Sequence, residues 1–318
     1  MRRDGTEFNP LTGVPGRGAV MPMHLALVVN RSAGTFRRLP VEATVAGVAQ
    51  ALRDGGHRVT VEVVGRRDLA AALSAVAART DVDAVVVGGG DGSVLTAVLA
   101  GLGRQRPIGV LPLGTLNLFA RDLGLPLDPV EAARLLASAG VAEIDLAEVN
   151  GLPFIIWASL GMHPWMVRRR DHLQREGMAK WPAMALAAFR ALRRHPMIAV
   201  TLALGGGGAV ALETPLMVIT NNAWREETPP LSRAALDRGE LEVHTARGSS
   251  RLALLWLAVR ALLGRWRTSP LLDTYVAREV RVVTRSRRAM VSLDGEVTVL
   301  RSPLVFKVKP GALKVLKP

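Results

Sequence analysis

Short apolar runs and helix-spaced segments alternate along the first 140 residues. Runs that are apolar throughout are typical of strands buried on both faces of a parallel sheet. The predicted strands are His24 to Asn30, Val59 to Val64, Asp83 to Val87 and Ile108 to Pro112. Helical spacing of the apolar residues predicts helices over Val41 to Arg53, Asp68 to Arg79, Val94 to Leu102, Phe119 to Leu123 and Pro129 to Ala139. This alternation predicts a doubly wound, mainly parallel α/β sheet.

The pattern changes after Ala142, where strands follow one another closely and apolar positions alternate with polar ones. Such spacing is typical of a mostly antiparallel β-sandwich. The predicted strands are Ile144 to Val149, Pro153 to Ser159, Ile198 to Ala203, Val210 to Glu213, Leu216 to Thr220, Leu241 to His244, Glu279 to Thr284, Ala289 to Leu293 and Leu304 to Val308. Two helical segments interrupt them: Trp165 to Arg194, in two pieces around Pro182, and Arg251 to Trp266.

We therefore predict an α/β plus β architecture with two domains. The α/β domain covers residues 21–142, and residues 309–318 are a candidate strand that completes it. The β-rich, sandwich-like domain covers residues 143–308. Residues 1–20 are rich in Gly, Pro and charge and are expected to be a disordered lead-in.

The net charge of the chain is concentrated in its second half. Of 41 basic and 27 acidic residues, residues 1–150 hold 15 of each, whereas residues 151–318 hold 26 basic and 12 acidic. The whole excess of +14 therefore belongs to the β-rich half. A one-sided basic surface predicts a polyanionic partner, either nucleic acid or an anionic membrane. Aromatic residues make up only 4%, without a stacking or recognition-helix motif, so nucleic acid is not expected.

Composition excludes several other classes of site. There is no cysteine, which excludes a disulfide framework, a thiolate metal site and a Cys nucleophile. The six histidines show no zinc-binding spacing. No apolar segment reaches the ~18–20 residues that span a bilayer, and residues 1–20 hold no signal-peptide run. We predict a cytoplasmic protein that associates peripherally with a membrane.

The strongest local signal is the glycine-rich turn that follows the third strand. Glycine lacks Cβ, so its backbone approaches a phosphate closely, and the following helix N-terminus favours an anion. Acid beside a phosphate repels it unless a cation lies between, so Asp91 indicates Mg²⁺. A tight strand-to-helix turn with Asp91 as a helix cap is the alternative. The candidate nucleotide-binding residues of this turn are Gly89, Gly90, Asp91, Gly92 and Ser93.

Two further polar turns end the first and fourth strands. Open α/β sheets bind ligands in the crevice at the carboxyl ends of their parallel strands, so the three turns predict one nucleotide site. The candidate residues of the first turn are Asn30, Ser32, Gly34 and Thr35, and those of the other are Gly114, Thr115 and Asn117.

Four motifs occur in order along nearly the whole chain. Residues 89–93 (GGDGS) resemble the signature GGDGT, and residues 112–121 (PLGTLNLFAR) resemble PxGTxNDFAR. Residues 30–34 (NRSAG) resemble NPxSG, and residues 292–296 (SLDGE) resemble a late DGE motif. Together they resemble the diacylglycerol kinase catalytic-domain superfamily, in its soluble bacterial lipid kinase branch of diacylglycerol kinase-like and sphingosine kinase-like enzymes.

The resemblance implies ATP-dependent phosphorylation of a lipid hydroxyl, with a diacylglycerol-like lipid as the expected substrate. ATP and Mg²⁺ would bind the α/β domain, the lipid would bind the β-rich domain, and the active site would lie in the cleft between them. Asp294 becomes the candidate general base, with Glu296 beside it, and Asp145 joins Asp91 as a candidate metal ligand. Asp-Gly at 294–295 is also a strong hairpin signal.

The sequence departs from the family pattern at several positions. Leu118 replaces an aspartate linked to magnesium, and we hypothesise that Asp122, one helical turn later, partly substitutes for it. In the stretch 236–243 Arg238 replaces an aspartate linked to a structural metal, so no metal is expected there. An expected glycine-rich stretch is replaced by residues 224–230.

Arginine clusters mark the ends of elements in the second half, at 168–170, 193–194, 265/267 and 285–288. The helical segment 251–267 mixes Leu with Trp256 and Trp266. It is suited to lie on an anionic membrane, with tryptophan at the interface, or to pack on the β domain with solvated arginine ends.

Two other functions fit part of the pattern. One is a lipid-binding protein of this fold that has lost catalysis, given Leu118 and Arg238. The other is a soluble kinase of the wider superfamily, such as an NAD kinase, which shares GGDG. That enzyme is expected to carry an Asn-Glu pair where this chain has Asn117-Leu118.

Overall fold

The computed structural model describes residues 21–194, 196–205, 207–225, 232–247, 250–263, 265–266 and 269–318. The expected lead-in of residues 1–20 lies outside the described residues, as does residue 267 of the arginine clusters.

The first half of the chain forms a parallel sheet between helices. Strand order is β2-β1-β3-β4, and all three pairings are parallel. The chain moves outward from β1 to β2 and then crosses back to β3. Right-handed crossovers therefore place helices on both faces of the sheet. The elements are β1 (His24–Asn30), a 3-10 turn (Gly34–Arg37), α1 (Val41–Asp54), β2 (Arg58–Val64), α2 (Leu69–Ala78), β3 (Ala84–Gly89), α3 (Asp91–Leu99), β4 (Ile108–Pro112), α4 (Leu118–Asp122) and α5 (Pro129–Leu136).

The second half is mostly antiparallel strand, with three longer helices. Six strands form a sheet of order β12-β11-β10-β7-β14-β15. The elements are β5 (Gly140–Val149), β6 (Leu152–Phe154), β7 (Trp157–Gly161), α6 (Met162–Arg175), α7 (Lys180–Arg194), β8 (Ile198–Leu204), β9 (Ala209–Thr214), β10 (Leu216–Asn221), β11 (Leu241–Ala246), α8 (Arg251–Leu262), β12 (Leu272–Ala277), β13 (Glu279–Thr284), β14 (Arg288–Leu293), β15 (Glu296–Arg301) and β16 (Leu304–Lys317).

The remaining strands join the parallel sheet through β16. The first part of β16 pairs with β13, and its whole length pairs with β5. Near its end Val315 pairs in parallel with Ile108 of β4. One ten-stranded sheet therefore runs through both halves of the molecule, and its antiparallel part faces the six-stranded sheet across an apolar core. The predicted fold class, a doubly wound sheet followed by an antiparallel β domain, is confirmed.

Several predicted boundaries are wrong, and one of these errors concerns the candidate site. Residues 153–159 were expected as one strand, but the chain breaks between β6 and β7 at Ile155 and Ile156. The backbone amides at this break turn inward to a carboxylate. The break between α6 and α7 lies at residues 176–179, and Pro182 instead occupies the first turn of α7, where proline is tolerated. Strands β12 and β15 were not predicted.

Candidate active site

The three polar turns that end β1, β3 and β4 lie against one another. The backbone N–H of Thr35 donates to the Leu113 carbonyl at 2.9 Å, which joins the first turn to the third. The Asn30 amide donates to the Ser93 hydroxyl at 3.3 Å, which joins the first turn to the second. Ser32 lies exposed on the first turn, where its N–H donates to the Asn30 side chain at 3.0 Å. The candidate residues of the three turns therefore form a single cradle.

Glycine is required where the second and third turns meet. A Cβ on Gly114 would lie 2.4 Å from the Gly90 Cα and 2.7 Å from the Asn117 side-chain oxygen. A Cβ on Gly89 would lie 2.3 Å from the Ser93 hydroxyl. These separations are too short for a Cβ. Gly114 therefore packs directly on the Gly90 backbone, and Gly89 packs directly on the Ser93 side chain.

The N-terminus of α3 opens onto this cradle. The helix begins at Asp91, directly after Gly90, and Gly92 in its first turn is exposed. The unpaired amides and the helix dipole at such a terminus favour an anion. Gly34 and Thr115 border the same space, because a Cβ on Gly34 would lie 3.0 Å from the Thr115 hydroxyl.

Asp91 joins the second turn to the third. Its two carboxylate oxygens accept the N–H groups of Leu118 at 3.3 Å and Phe119 at 3.0 Å. The side chain therefore caps α4 and not the helix of its own turn, α3, for which a cap was the alternative. About two of its four lone-pair positions stay open. Burial raises the pKa of Asp91, and the nearby Asp122 carboxylate raises it further.

Asp122, which was predicted to help bind magnesium, is paired with Arg233 in the structure. One oxygen of Asp122 accepts the Arg233 backbone N–H at 2.7 Å, and the other accepts Arg233 Nε at 2.8 Å. Both side chains are almost completely buried. The carboxylate charge is therefore paired with a buried guanidinium, and both oxygens already accept hydrogen bonds from Arg233. Asp122 is half of a buried ion pair between the two domains.

Asp145 also has a different environment from the one predicted. Its oxygens accept the Asn222 amide at 3.1 Å, the Gly239 N–H at 2.6 Å and the Gly311 N–H at 3.1 Å. The residue is 1% exposed. These donors come from three separate segments, so Asp145 holds β5, β16 and the loop before β11 together. Its role as a metal ligand stays a prediction.

Asp294 occupies the tip of the β14–β15 hairpin and faces the break between β6 and β7. One oxygen accepts the Ile155 N–H at 2.6 Å, and the other accepts those of Ile156 at 2.8 Å and Trp157 at 2.9 Å. Asp294 and Gly295 both have positive φ, at 46° and 89°, which fits a two-residue hairpin turn. Burial raises the pKa of Asp294 to about 6, although the three amides oppose this change.

Glu296 brings the same hairpin to the nucleotide cradle. Its Oε1 lies 4.0 Å from the Cβ position of Gly92, in the first turn of α3. The carboxylate is exposed and also lies 3.6 Å from Arg66. The hairpin that carries both candidate catalytic carboxylates therefore lies next to the first turn of α3.

The second domain contains an apolar cavity of about 490 Å³. Trp157, whose N–H binds Asp294, contributes its side chain to the cavity wall. Helices α6, α7 and α8 and the six-stranded sheet form the rest of the wall. The lining residues are Trp157, Ser159, Met162, His163, Met166, Ala188, Phe189, Ala191, Leu192, Leu216, Val218, Leu254, Leu255 and Ala258.

One polar pair lies within this apolar wall. Ser159 Oγ and His163 Nδ1 are 2.7 Å apart. Burial, together with the positive charge of Arg170, lowers the pKa of His163 to about 4, so the imidazole is neutral at pH 7. The pair offers neutral hydrogen-bonding groups to a ligand that is otherwise apolar.

Two residues of the cleft were missed at the level of sequence. Lys180, the first residue of α7, donates from Nζ to the Thr115 hydroxyl at 3.0 Å and so reaches across to the third turn. Burial lowers the pKa of Lys180, and Arg170 and Arg37 lower it further. Arg233 is the other. Neither residue belongs to a motif, and neither has a sequence neighbour in the site, so no local pattern indicated them.

The carboxylates of the cleft do not form a ready metal centre. Among the described residues, no group of three or more His, Cys, Asp or Glu side chains is arranged to hold a metal ion. Within the same part of the chain, no helix is long and apolar enough to cross a membrane.

Comparison with known families covers most of the chain. Residues 24–149 match the diacylglycerol kinase catalytic domain, and residues 159–317 match the YegS C-terminal NAD kinase beta sandwich-like domain. The fold is similar to the crystal structure of a diacylglycerol kinase from Bacillus anthracis str. Sterne, with a TM-score of 0.69 and 18% identity over 93% of this chain and 97% of that one.

Curated relatives are similar over a shorter stretch. The chain is 37% identical over 142 residues to a "Probable lipid kinase YegS-like" of Cronobacter sakazakii, which is 42% of this chain and 47% of the relative. It is 42% identical over 124 residues to the protein of the same name from Pseudomonas aeruginosa, which is 38% of this chain and 39% of the relative. The chain thus spans less than half the length of these relatives. By its two consecutive domains, it belongs to the diacylglycerol kinase catalytic-domain family, in the branch that carries a YegS-type C-terminal domain.

Proposed function

We propose that this protein is an ATP- and Mg²⁺-dependent kinase that phosphorylates a hydroxyl of a diacylglycerol-like lipid, with Asp294 as the general base. One observation carries the proposal. Asp294 is bound by the N–H of Trp157, whose ring lines the apolar cavity, and its hairpin partner Glu296 adjoins the first turn of α3. One hairpin turn therefore connects an anion cradle, through Glu296, to a lipid-sized cavity, through Asp294 and Trp157.

The cradle supports ATP as the phosphate donor. Gly90 and Gly114 leave backbone surface for close approach of phosphates, and α3 directs its free amides to the same place. Lys180 adds a cation from the opposite domain. Phosphoryl transfer depends chiefly on positioning and on neutralising charge, and these groups provide both.

Magnesium fits the site when it arrives with ATP. Mg²⁺ is usually held by one or two protein carboxylates together with substrate phosphates and water. Asp91 has open lone-pair positions beside the N-terminus of α3, and Glu296 is exposed at the same terminus. A bound Mg²⁺ would neutralise charge on the ATP phosphates.

The apolar cavity supports a diacylglycerol-like acceptor. Its volume of about 490 Å³ lies within the ~300–1,000 Å³ of ligand sites. The wall is apolar apart from the Ser159–His163 pair, which matches a ligand with long acyl chains and few polar atoms. The hydroxyl end of such a ligand would face Asp294.

Asp294 has the properties that a general base needs. Three of its roughly four lone-pair positions accept backbone N–H groups, so one remains for the substrate proton. With a pKa of about 6 it is ionised at pH 7 yet retains basicity. In the proposed step the lipid oxygen bonds to the γ-phosphorus, the bond to ADP breaks, and the hydroxyl proton passes to Asp294.

The test is transfer of labelled phosphate from ATP with Mg²⁺ to diacylglycerol in mixed micelles, with NAD as a second acceptor. We expect label in an organic-extractable product, and a loss of about 10³-fold in Asp294→Asn. Asp237→Asn removes an exposed carboxylate outside the cleft and serves as the matched control. Retained ATP binding in Asp294→Asn would show that the variant is folded.

Each rival function has its own outcome in this assay. Label on NAD would identify a soluble nucleotide kinase. Lipid binding without any transfer would identify a protein of this fold that has lost catalysis. Undiminished transfer by Asp294→Asn would overturn the role of Asp294 while leaving a lipid kinase.

A further inference from the structure

Helix α8 is apolar on two faces. Leu254 and Leu257 are buried against Ala246 of β11, which fixes the helix to the second domain. Leu252 and Trp256, one turn apart, are nevertheless 78% and 55% exposed. The exposed stripe recurs at helical spacing and consists of Leu252, Leu255, Trp256, Val259 and, just beyond the helix, Leu263.

Helix α7 extends this apolar surface. Trp181 and Phe189 lie two turns apart, on one side of the helix, and are 67% and 57% exposed. Phe189 and Leu255 are exposed and also line the apolar cavity, so the exposed surface of both helices reaches the cavity. Contiguous exposed apolar surface of this kind marks an interaction site.

A groove rich in arginine adjoins the apolar surface. Helices α6 and α7 enclose about 700 Å³ lined by Trp165, Arg168, Arg169, His172, Arg175, Arg190 and Arg194. Within the described residues none of these five arginines forms an ion pair, since the neighbouring acids Asp171 and Glu176 pair with Arg170 and His172. Like charges confined in one groove repel each other and favour an anionic partner.

The groove and the apolar surface belong to one face of the molecule. Arg190 of the groove directly follows Phe189, and the Arg193 guanidinium lies 5.9 Å from the Phe189 ring centroid. A second groove containing Arg285 and Arg288 shares Trp165 and Arg194 with the first. Three of the predicted arginine clusters therefore contribute to this face.

We propose that the face formed by α6, α7 and α8 docks on an anionic lipid bilayer. The arginine groove would bind headgroup phosphates, and the exposed side chains of α7 and α8 would enter the acyl layer around the cavity mouth. Tryptophan beside arginine suits this interface, because the ring is amphipathic and the guanidinium binds phosphate bidentately. The proposed orientation of the cavity rests on the proposed function, whereas docking itself requires no catalysis.

Sedimentation with vesicles tests the proposal directly. Wild-type protein without ATP is offered phosphatidylcholine vesicles with or without 30% phosphatidylglycerol, at low and high salt. The variant Arg168→Gln/Arg175→Gln/Arg190→Gln removes three groove charges. At roughly fivefold per basic residue near an anionic surface, it should partition about 100-fold more weakly. The control Arg58→Gln/Arg104→Gln/Arg134→Gln removes three exposed charges from the first domain.

The apolar part has its own variant. Leu252→Gln/Trp256→Gln should weaken binding at both salt concentrations, because insertion of apolar side chains is little screened. Both residues lie outside the cavity wall. Tryptophan fluorescence gives a second measurement, because Trp181 and Trp256 are both exposed. The emission of the wild-type protein should shift to shorter wavelength when anionic vesicles are added.

Equal binding to neutral vesicles, or equal loss in the groove variant and the first-domain control, would overturn the proposal. So would a lipid-free dimer that Leu252→Gln/Trp256→Gln converts to monomer, since a second copy would then cover the face. Kinase activity in neutral micelles is measured alongside. Activity without vesicle binding would reject docking alone, and binding without activity would reject the kinase alone.

Discussion

The two sides of the cleft are built in opposite ways. On the nucleotide side, short turns at strand ends present backbone, and the decisive positions are glycines such as Gly114 and Gly90. On the acceptor side, a side chain meets backbone from a distant segment: Asp294 binds amides about 140 residues earlier in the chain. The first side depends on the absence of side chains, and the second depends on a long-range contact made by one.

Arg233 shows how the two sides are held together. Its side chain pairs with Asp122 of α4, donates to the carbonyls of Ile155 at 2.7 Å and Asn221 at 3.0 Å, and lies 5.8 Å from the Phe119 ring centroid. The Ile155 carbonyl belongs to the strand break that also binds Asp294. A single buried cation therefore connects the helix capped by Asp91 to the segment that positions the base.

The largest expected effect comes from breaking this connection. Arg233→Met leaves the Asp122 carboxylate buried without its partner, and we expect unfolding by urea to require about 3–5 kcal/mol less free energy. Lys307→Gln breaks a half-exposed ion pair with Glu279 and should cost less than about 1 kcal/mol.

The double variant Asp122→Leu/Arg233→Met makes the test sharper. Replacing both charges with apolar side chains should recover most of the loss, because no uncompensated charge remains. If Arg233→Met costs no more than Lys307→Gln, the two sides are not held together by this pair.

The next largest effect tests whether the nucleotide side depends on bare backbone. Gly114→Ala places a methyl group against the Gly90 backbone and displaces the turn, so kcat/KM should fall about 100-fold. Gly140→Ala introduces the same group into open space and should leave kcat/KM unchanged. Steady-state kinetics with varied ATP compares the two, and normal activity in Gly114→Ala would contradict the packed-turn description.

A pH profile tests the acceptor side by itself. Asp294 accepts a proton only when ionised, and its pKa of about 6 means that ionisation is lost as pH falls through 6. We expect kcat/KM at pH 5 to be about tenfold lower than at pH 7. ATP binding is measured over the same range, because burial also raises the pKa of Asp91 in the cradle. An acidic limb near pH 4 would show that burial does not raise the pKa of Asp294, since ~4 is the ordinary value for Asp.

The smallest expected effect concerns Lys180, which crosses from the acceptor side to the nucleotide side. Lys180→Ala removes the cation next to Thr115 and should raise the KM for ATP about fivefold with little change in kcat. Lys317→Ala removes an exposed lysine of β16 and is the control. A fall in kcat with unchanged KM would place Lys180 at the transition state instead.

Sequence patterns predicted the nucleotide side well because its information is local. Each turn follows a buried apolar strand, and the parallel order of the strands brings the turns to one edge. The hairpin at Asp294 was likewise predictable from Asp-Gly. The backbone N–H groups that Asp294 binds were not predictable, because the apolar pattern continues without interruption through the strand break at Ile155.

The same limit applies to Asp122 and Asp145. Asp122 was assigned to magnesium because it lies one helical turn after Leu118, and Asp145 because the family resemblance implied it. Their partners in the structure are Arg233 and the N–H groups of Gly239 and Gly311. Those donors are about 90 or more residues away in sequence. The spacing of apolar and polar residues along the chain does not predict contacts over such distances. A carboxylate near a nucleotide motif is therefore weak grounds for a metal ligand.

Strand β16 has a consequence for how the protein is made. Its Val315 lies beside Ile108 of β4, so the sheet of the nucleotide side is bordered by a strand that the ribosome supplies some two hundred residues later. Until then the edge of β4 exposes unpaired amides and carbonyls, the template for pairing with another chain. The first half of the chain therefore depends on β16 to cover the edge of its sheet. Expressed without β16, it should aggregate. A chimaera that takes this half from another protein should need the matching β16 as well.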